Sequence, residues 1–334
     1  MSVMAGLFEN ECLKILRRKR FRLVLIVLAA ILCLVVFAQK RQQDRQRLEH
    51  PDRDWRAQVE KRASDLERQV SQRRGIPEPW KRWMRYESGR LRYSLSRNLD
   101  PNLLSGPMFT RGFAGVGSVL LIPLLIAVIG SDLVSSEFSE GTVTLLLTRP
   151  VARWKVLLSK LLAMALFTTL TLLAAFVLAW AISGIAFGWT GWGAPTLTGF
   201  RLGAVGAGGF DLTNVRVLPL WQEAFATWGL AWVSALAVGS VTLLLSVVFR
   251  SAAAAMGTMM ATLVAGTILS RIASDWDGAK WFFVTNLPLP EFYAGMPAPF
   301  EGMTLAFSTL VLAGWAVAAA AAAFAIFTRR DVTA

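Results

Sequence analysis

The chain has 334 residues, 54% of them hydrophobic and only 17% charged, with a mean hydropathy of +0.49. Soluble globular domains carry about 25% charged residues, so this composition excludes an ordinary water-soluble protein. The formal net charge is +13, and its placement along the chain sets the expected orientation in a membrane.

Six uncharged runs approach the roughly 20 apolar residues needed to cross a hydrocarbon core. They are Leu23–Gln39, Gly112–Gly130, Leu161–Gly188, Ala224–Phe249, Ser251–Ser270 and Met303–Thr328. The expected fold is an all-α integral membrane protein with six transmembrane helices, N-in and C-in, with a helical external segment between the first and second spans.

Residues 1–22 form a basic lead-in. Met4, Phe8, Cys12, Ile15 and Leu16 fall on one helical face, with Glu9, Lys14, Arg17 and Arg18 elsewhere. Such a helix suits the membrane interface; alternatively its cations only fix topology. No small-residue cleavage site precedes Lys40 and Arg41, so 23–39 reads as an uncleaved first transmembrane helix. Cys12 and Cys33 lie in front of and within that span, where no disulfide is expected. Two cysteines and one histidine, His50, make no conventional zinc site.

Residues 40–111 are expected outside as a helical hairpin. Trp55, Val59, Ala63, Leu66 and Val70 recur at helical spacing, as do Trp80, Trp83, Met84, Leu91 and Leu95. Gly75-Ile76-Pro77 separates the stripes and Asp100-Pro101 ends the second. The pair is either a solvated surface element or a lid that contacts substrate, and its basic excess favours anionic neighbours such as lipid headgroups.

The remaining five spans occupy 112–328, with a loop at 131–160, external loops at 189–223 and 271–302, and a cytoplasmic C-terminus at 329–334. The fourth and fifth spans meet at Arg250 and should form a tight hairpin. Loop 131–160 is the most punctuated part of the chain. Acidic Asp132, Glu137 and Glu140 precede Gly141, which can end a helix, and Thr142, which can cap the next. Val143–Leu147 then forms a short apolar turn, suited either to a partner protein or to dipping into lipid. Pro150 fits the first turn of the third span, and Arg149, Arg153, Lys155 and Lys160 make a basic exit. Among the short loops, those placed inside are richer in Lys and Arg, while the long basic segment 40–111 exceeds the length to which that bias applies.

The pattern Glu137-x-x-Glu140-Gly141-Thr142, Leu145-Leu146, Arg149-Pro150-Val151-x-Arg153 and Lys160 resembles the cytoplasmic loop of ABC-2 type exporter permeases. Phe327-Thr-Arg-Arg330-Asp331, the basic lead-in, the stretch Tyr86–Pro101 and the six-span plan resemble that family too. The resemblance implies a permease subunit in a bacterial cytoplasmic membrane, paired with a second permease copy or paralogue. It also implies a separate ABC ATP-binding subunit docked on loop 131–160 through a short coupling helix after Gly141-Thr142. Glu137, Glu140, Gly141, Thr142, Leu145 and Leu146 would shape the docking element, with Arg149, Pro150, Arg153 and Lys160 at its exit. ATP and Mg would be held by that partner, and 271–302, with Asn286-Leu-Pro-Leu-Pro290, would dip short helices into the outer leaflet.

The chain has no Gly-Lys dipeptide and hence no Walker A loop. No catalytic constellation appears either, so neither an enzyme, a directly bound cofactor nor a nucleic-acid partner is expected. A secondary carrier would usually place ionisable residues deep in its spans, and these spans look nearly free of them. A non-transporting membrane scaffold is the other alternative. Trp189, Trp192, Trp221, Trp276 and Trp281 read as interfacial aromatics, Gly314 with Ala316–Ala323 as an internal packing face, and Thr168, Thr169 and Thr171 as hydroxyls bonded to their own helix.

Overall fold

The structure, a computed structural model, describes residues 3–49, 54–72, 75–101, 104–141, 151–202, 210–211, 215–272 and 276–329. Among them six helical stretches are long and apolar enough to cross a membrane. The basic lead-in is not continuous with the first span. Helix α1 (Val3–Arg17) and helix α2 (Arg20–Glu49) are separated at Lys19, whose φ of 61° is left-handed and incompatible with a continuing right-handed helix. Helix α2 starts before Leu23 and continues past Gln39, because the residues beyond it (Lys, Arg, Gln, Glu) are good helix formers even where they are polar.

Two helices form the hairpin read from the sequence. Helices α3 (Trp55–Gln72) and α4 (Glu78–Ser96) enclose a small core of their own, with Val59, Ala63 and Leu91 buried and Trp55, Leu66 and Leu95 packed around them. Trp80 takes no part in that stripe and is exposed. The other face of α4 meets the bundle instead.

The second apolar run is broken. Helix α5 (Gly106–Val119) starts earlier than Gly112, capped by Ser105, whose Oγ accepts from the Met108 N–H at 3.3 Å. Helix α6 (Leu121–Gly130) follows after Leu120 leaves helical geometry. Pro123 explains the break: it has no N–H to offer the Val119 carbonyl, and its ring crowds that carbonyl. A short helix α7 (Ser135–Ser139) ends this arm.

Helix α8 (Arg153–Phe187) is 35 residues long. It begins close to Pro150, where the sequence places the start of the third span, so Arg153, Lys155 and Lys160 lie on its first turns. The loop after α8 departs from an all-α fold. Strands β1 (Pro195–Thr198) and β4 (Arg216–Pro219) pair antiparallel, and β2 (Arg201–Leu202) and β3 (Phe210–Asp211) pair inside them. Alternating Thr-Leu-Thr opposite Arg-Val-Leu suits a half-buried ladder. Between β1 and β2, Phe200 turns under α4, where the Tyr86 and Tyr93 rings lie 5.7 and 5.9 Å away.

Helices α9 (Leu220–Val248) and α10 (Ala252–Ile272) join through Phe249–Ser251, the tight hairpin expected around Arg250. Helix α9 is the central post, packed on α5, α6, α8, α10, the short helix α11 (Leu289–Ala294) and the last helix α12 (Leu305–Arg329). Ahead of α11 come two 3₁₀ turns, Asp277–Trp281 and Val284–Asn286. From Phe283 to Phe292 this broken segment is largely buried in protein, while Trp276, Trp281 and Phe282 ahead of it are exposed. Ser234, about 21 Å along α9 from Leu220 by helical rise, donates to the Leu287 carbonyl at 2.8 Å, and Trp315 Nε1 donates to the Trp281 carbonyl at 2.8 Å. Asn286 Nδ2 donates to the Lys280 and Phe282 carbonyls. Side chains thus supply partners that water cannot supply in an apolar interior.

Gly295, after α11, has φ 92°, and a Cβ there would fall 2.0 Å from the Phe200 carbonyl oxygen. Only glycine allows both the turn and the approach. In α12, Ala319 and Ala323 face the core, while Gly314 and Ala318 face outward, so the small-residue face is not wholly internal. Thr169 and Thr171 donate to their own helix at Ala165 and Phe167, and Trp189, Trp221, Trp276 and Trp281 are exposed.

Candidate functional site

One end of the bundle gathers the termini of α2, α7, α8, α9 and α12 around helix α1. The inward face of α1 is not the simple apolar stripe read from its sequence. Phe8, Cys12 and Ile15 do pack on the core, but Leu16 is exposed and Glu11 is buried. Around Glu11 lies a network of four cations and four carboxylates.

Lys160 is its centre and is wholly buried. Its ammonium donates to Glu11 Oε2 at 2.9 Å, Glu137 Oε1 at 2.7 Å and the Leu133 carbonyl at 2.8 Å. An ammonium has three N–H donors, so all are used. A lysine is tolerated out of water only when paired in this way. Lys14 bridges the same two carboxylates, at 2.7 Å to Glu11 and 2.8 Å to Glu137. Burial pulls the Lys14 ammonium toward lower pKa, but Glu137 and Glu11 outweigh it and hold it above the ordinary lysine value.

A second layer surrounds Asp132. Arg18 reaches its Oδ2 at 3.0 Å and Arg20 reaches the same oxygen at 3.1 Å. The other guanidinium nitrogen of Arg18 extends to Glu140 at 3.1 Å, and Ser136 Oγ also accepts from Arg18. Helix α9 contributes as well: Ser246 Oγ accepts from the Val134 and Ser135 N–H groups at 3.0 and 3.1 Å, fixing the start of α7. Helices α1, α2, α7, α8 and α9 are therefore held together by one polar junction.

The residues singled out from the sequence divide into four groups. Glu137 and Lys160 turn inward and are paired with each other, so neither offers a surface to a partner. Glu140 stands at the exposed rim, followed by Gly141 with φ 69°, which ends α7 as read from the sequence. Arg153 opens α8 and donates to the Thr328 carbonyl at 3.3 Å, joining α8 to the end of α12. Thr142, Leu145, Leu146, Arg149 and Pro150 lie outside the described residues. Sequence reasoning missed Glu11 and the roles of Lys14, Arg18 and Arg20; the signal was a lone carboxylate within an apolar stripe, three positions before a lysine.

The opposite end carries a smaller charged cluster. Arg111 of α5 pairs with Glu223 of α9, which is buried. Arg90 forms a bidentate pair with Glu87, both bonds 3.0 Å, and Arg62 approaches Glu87 at 3.5 Å. Burial works to lower the Arg90 pKa, yet its bonds to Glu87 leave it raised. The Tyr86 hydroxyl donates to the Ala294 carbonyl at 3.3 Å, and burial pushes its pKa up to about 12. Helix α4 is thereby seated on the bundle.

These features define a polytopic helical membrane protein with a buried ionic junction at one end and a helical hairpin at the other. Residues 88–333 match the family described as "Protein of unknown function (DUF2705)", and the chain belongs to that family. It is 26% identical to "Uncharacterized protein YhcI" of Bacillus subtilis over 339 residues, covering 98% of this chain and 99% of that protein. It is 28% identical to "Uncharacterized membrane protein YdbK" of the same organism over 216 residues, covering 64% of this chain and 78% of that protein. The family match begins within α4, so the carboxylates of the junction on α7 fall inside it while their α1 partners precede it.

Proposed function

We propose that this chain is the transmembrane permease subunit of an ATP-driven exporter, docking a separate ATP-binding subunit through the loop between α7 and α8. The observation that carries the reading is the ionic junction. Both stalks of that loop are gripped by α1 and the turn after it: Glu137 by Lys14 and Glu140 by Arg18 on one side, Lys160 by Glu11 on the other. A push on the loop would therefore be delivered to α1 and α2, and through Ser246 to the central helix α9. In this reading α1 and the loop face the cytoplasm, the α3–α4 hairpin lies outside, and two permease chains form the path. ATP and Mg belong to the partner.

The test is purification in mild detergent from the native membrane, with ATP hydrolysis assayed on what copurifies. An ABC ATPase in about equal amount, lost with Glu140→Lys or Gly141→Pro, supports the reading. Proline cannot adopt the positive φ of Gly141, so that variant alters the loop exit while Glu137 and Lys160 remain paired. An ATPase that stays bound and fully active in both variants would remove the docking assignment.

A further inference from the structure

The basic run where α1 meets α2 is divided by the fold. Lys14 is taken up by Glu11 and Glu137, and Arg18 and Arg20 are taken up by Asp132. Arg17, Lys19 and Arg22 are left over. All three are exposed, and among the described residues no carboxylate lies within ion-pair distance of any of them. The carboxylates that reach this elbow, Asp132 and Glu140, are already engaged by Arg18 and Arg20. Glu9 is exposed on α1 but precedes Arg17 by about 12 Å of helical rise. Three positive charges are thus uncompensated within one short stretch of chain.

Lys19 is also the residue that makes the elbow. Its φ of 61° is left-handed, a region where glycine or asparagine is ordinary and a lysine is strained. Among the described residues the other non-glycine with a positive φ is Asn98. Glycine would form the same turn at less cost, so neither the turn nor any ion pair within the chain accounts for a lysine there.

The level of the elbow follows from its neighbours. The apolar run of α2 begins at Leu23, directly after Arg22, and Leu23 and Ile26 are exposed on that helix. Leu16, beside Arg17, is exposed as well. Cations interleaved with outward leucines at the start of a span lie where phosphate headgroups meet acyl chains. An acidic protein surface would answer the cations and leave the leucines without an apolar neighbour; an anionic leaflet answers both.

We infer that the α1–α2 elbow is a binding site for anionic phospholipid, with Arg17, Lys19 and Arg22 gathering the headgroup charge and Leu16 and Leu23 resting against the acyl chains. One basic run then serves two ends, the ionic junction through Lys14, Arg18 and Arg20 and the membrane surface through the other three. The inference stands apart from the exporter reading and fails or holds without it.

The experiment places purified protein in nanodiscs of mixed phosphatidylglycerol and phosphatidylcholine, releases it, and identifies retained lipid by native mass spectrometry. Wild type should keep phosphatidylglycerol in preference to phosphatidylcholine. Lys19→Gln should lower that preference about fivefold, equivalent to about 1 kcal/mol of affinity, and the triple variant Arg17→Gln, Lys19→Gln, Arg22→Gln should abolish it. Lys61→Gln with Arg68→Gln, which removes two exposed cations of the hairpin, should leave it unchanged. Lys19→Gly separates the charge from the backbone: it should unfold at a higher temperature than wild type in uncharged detergent, yet lose preference as Lys19→Gln does. A preference unchanged in the triple variant, or lowered as much by the hairpin variant, would overturn the site. A Lys19→Gly protein that unfolds earlier and keeps the preference would assign the lysine to folding and overturn its part. Efficient carbodiimide cross-linking of Lys19 to another protein in native membranes would give the elbow to that partner and overturn the lipid.

Discussion

Lys160 of α8 and Glu11 of α1 are 149 positions apart in sequence and 2.9 Å apart in space. The lysine has no exposed surface and the carboxylate almost none. A pair so withdrawn from water gains little net stability over an apolar pair of the same shape, but removing one partner strands the other charge. The contact therefore does more to specify where α1 sits than to add stability, and it ties the first helix of the chain to the loop that precedes α8.

Replacing Lys160 with Met should destabilise the protein by about 3–5 kcal/mol, the cost of leaving a buried carboxylate without its partner. Adding Glu11→Gln should restore part of that loss, since Lys14 then serves Glu137 alone. Thermal unfolding in detergent of the two single variants and the double variant measures the coupling. Strictly additive losses would show that the two residues do not act as a pair.

At the other end, the Tyr86 ring should matter more than its hydroxyl. The hydrogen bond to Ala294 is long, so Tyr86→Phe should cost about 0.5–1.5 kcal/mol. Tyr86→Ala should cost about 3–5 kcal/mol through the lost packing on Phe200. Hydrogen exchange of α3 and α4 reports it: the hairpin should exchange faster in the alanine variant and nearly normally in the phenylalanine one. Similar exchange in both variants would assign the docking to the hydroxyl instead.

Periodicity made the spans and the hairpin legible, because burial on one helical face repeats at a fixed spacing whatever the tertiary contacts. Gly141 was legible for a similarly local reason, as the residue suited to a left-handed helix end. The ionic junction was not. Lys160 read as the exit of a solvated loop because a lysine near a helix start is ordinarily exposed. Its burial depends on Glu11 and Glu137 arriving from two other helices, and no local rule brings those three together. The strands at 195–219 escaped for want of length, since four-residue ladders in a Gly-rich loop leave little alternation to count. The break at Leu120 was signalled by Pro123, inside an apolar run that otherwise reads as continuous.

The junction should tolerate alkali. Lys14 has a raised pKa in the folded protein, so its contribution is fully present below the unfolded value of 10.5 and is lost only as pH rises through its higher folded value. A spin label at exposed Leu13 should keep the restricted motion of a docked α1 from neutral pH to above about 10.5. Release of α1 near pH 9 would mean that another group governs the contact.

The proposed orientation makes a prediction that does not involve transport. Arg62 lies on α3, partly exposed and within 3.5 Å of Glu87, in the hairpin at the end opposite α1. Glu87 keeps its bidentate partner Arg90 when Arg62 is changed, so Arg62→Cys should fold normally. The background needs attention first, because Cys33 is exposed on α2 and Cys12 is half-buried in α1; both are replaced with Ser. With the hairpin outside, the new thiol should react with a membrane-impermeant maleimide in intact cells. A cysteine at exposed Leu13, on the α1 side, should react only after the membrane is opened. The reverse pattern would put the ionic junction and its loop outside the cell, out of reach of any cytoplasmic ATPase, and the exporter reading would go with it.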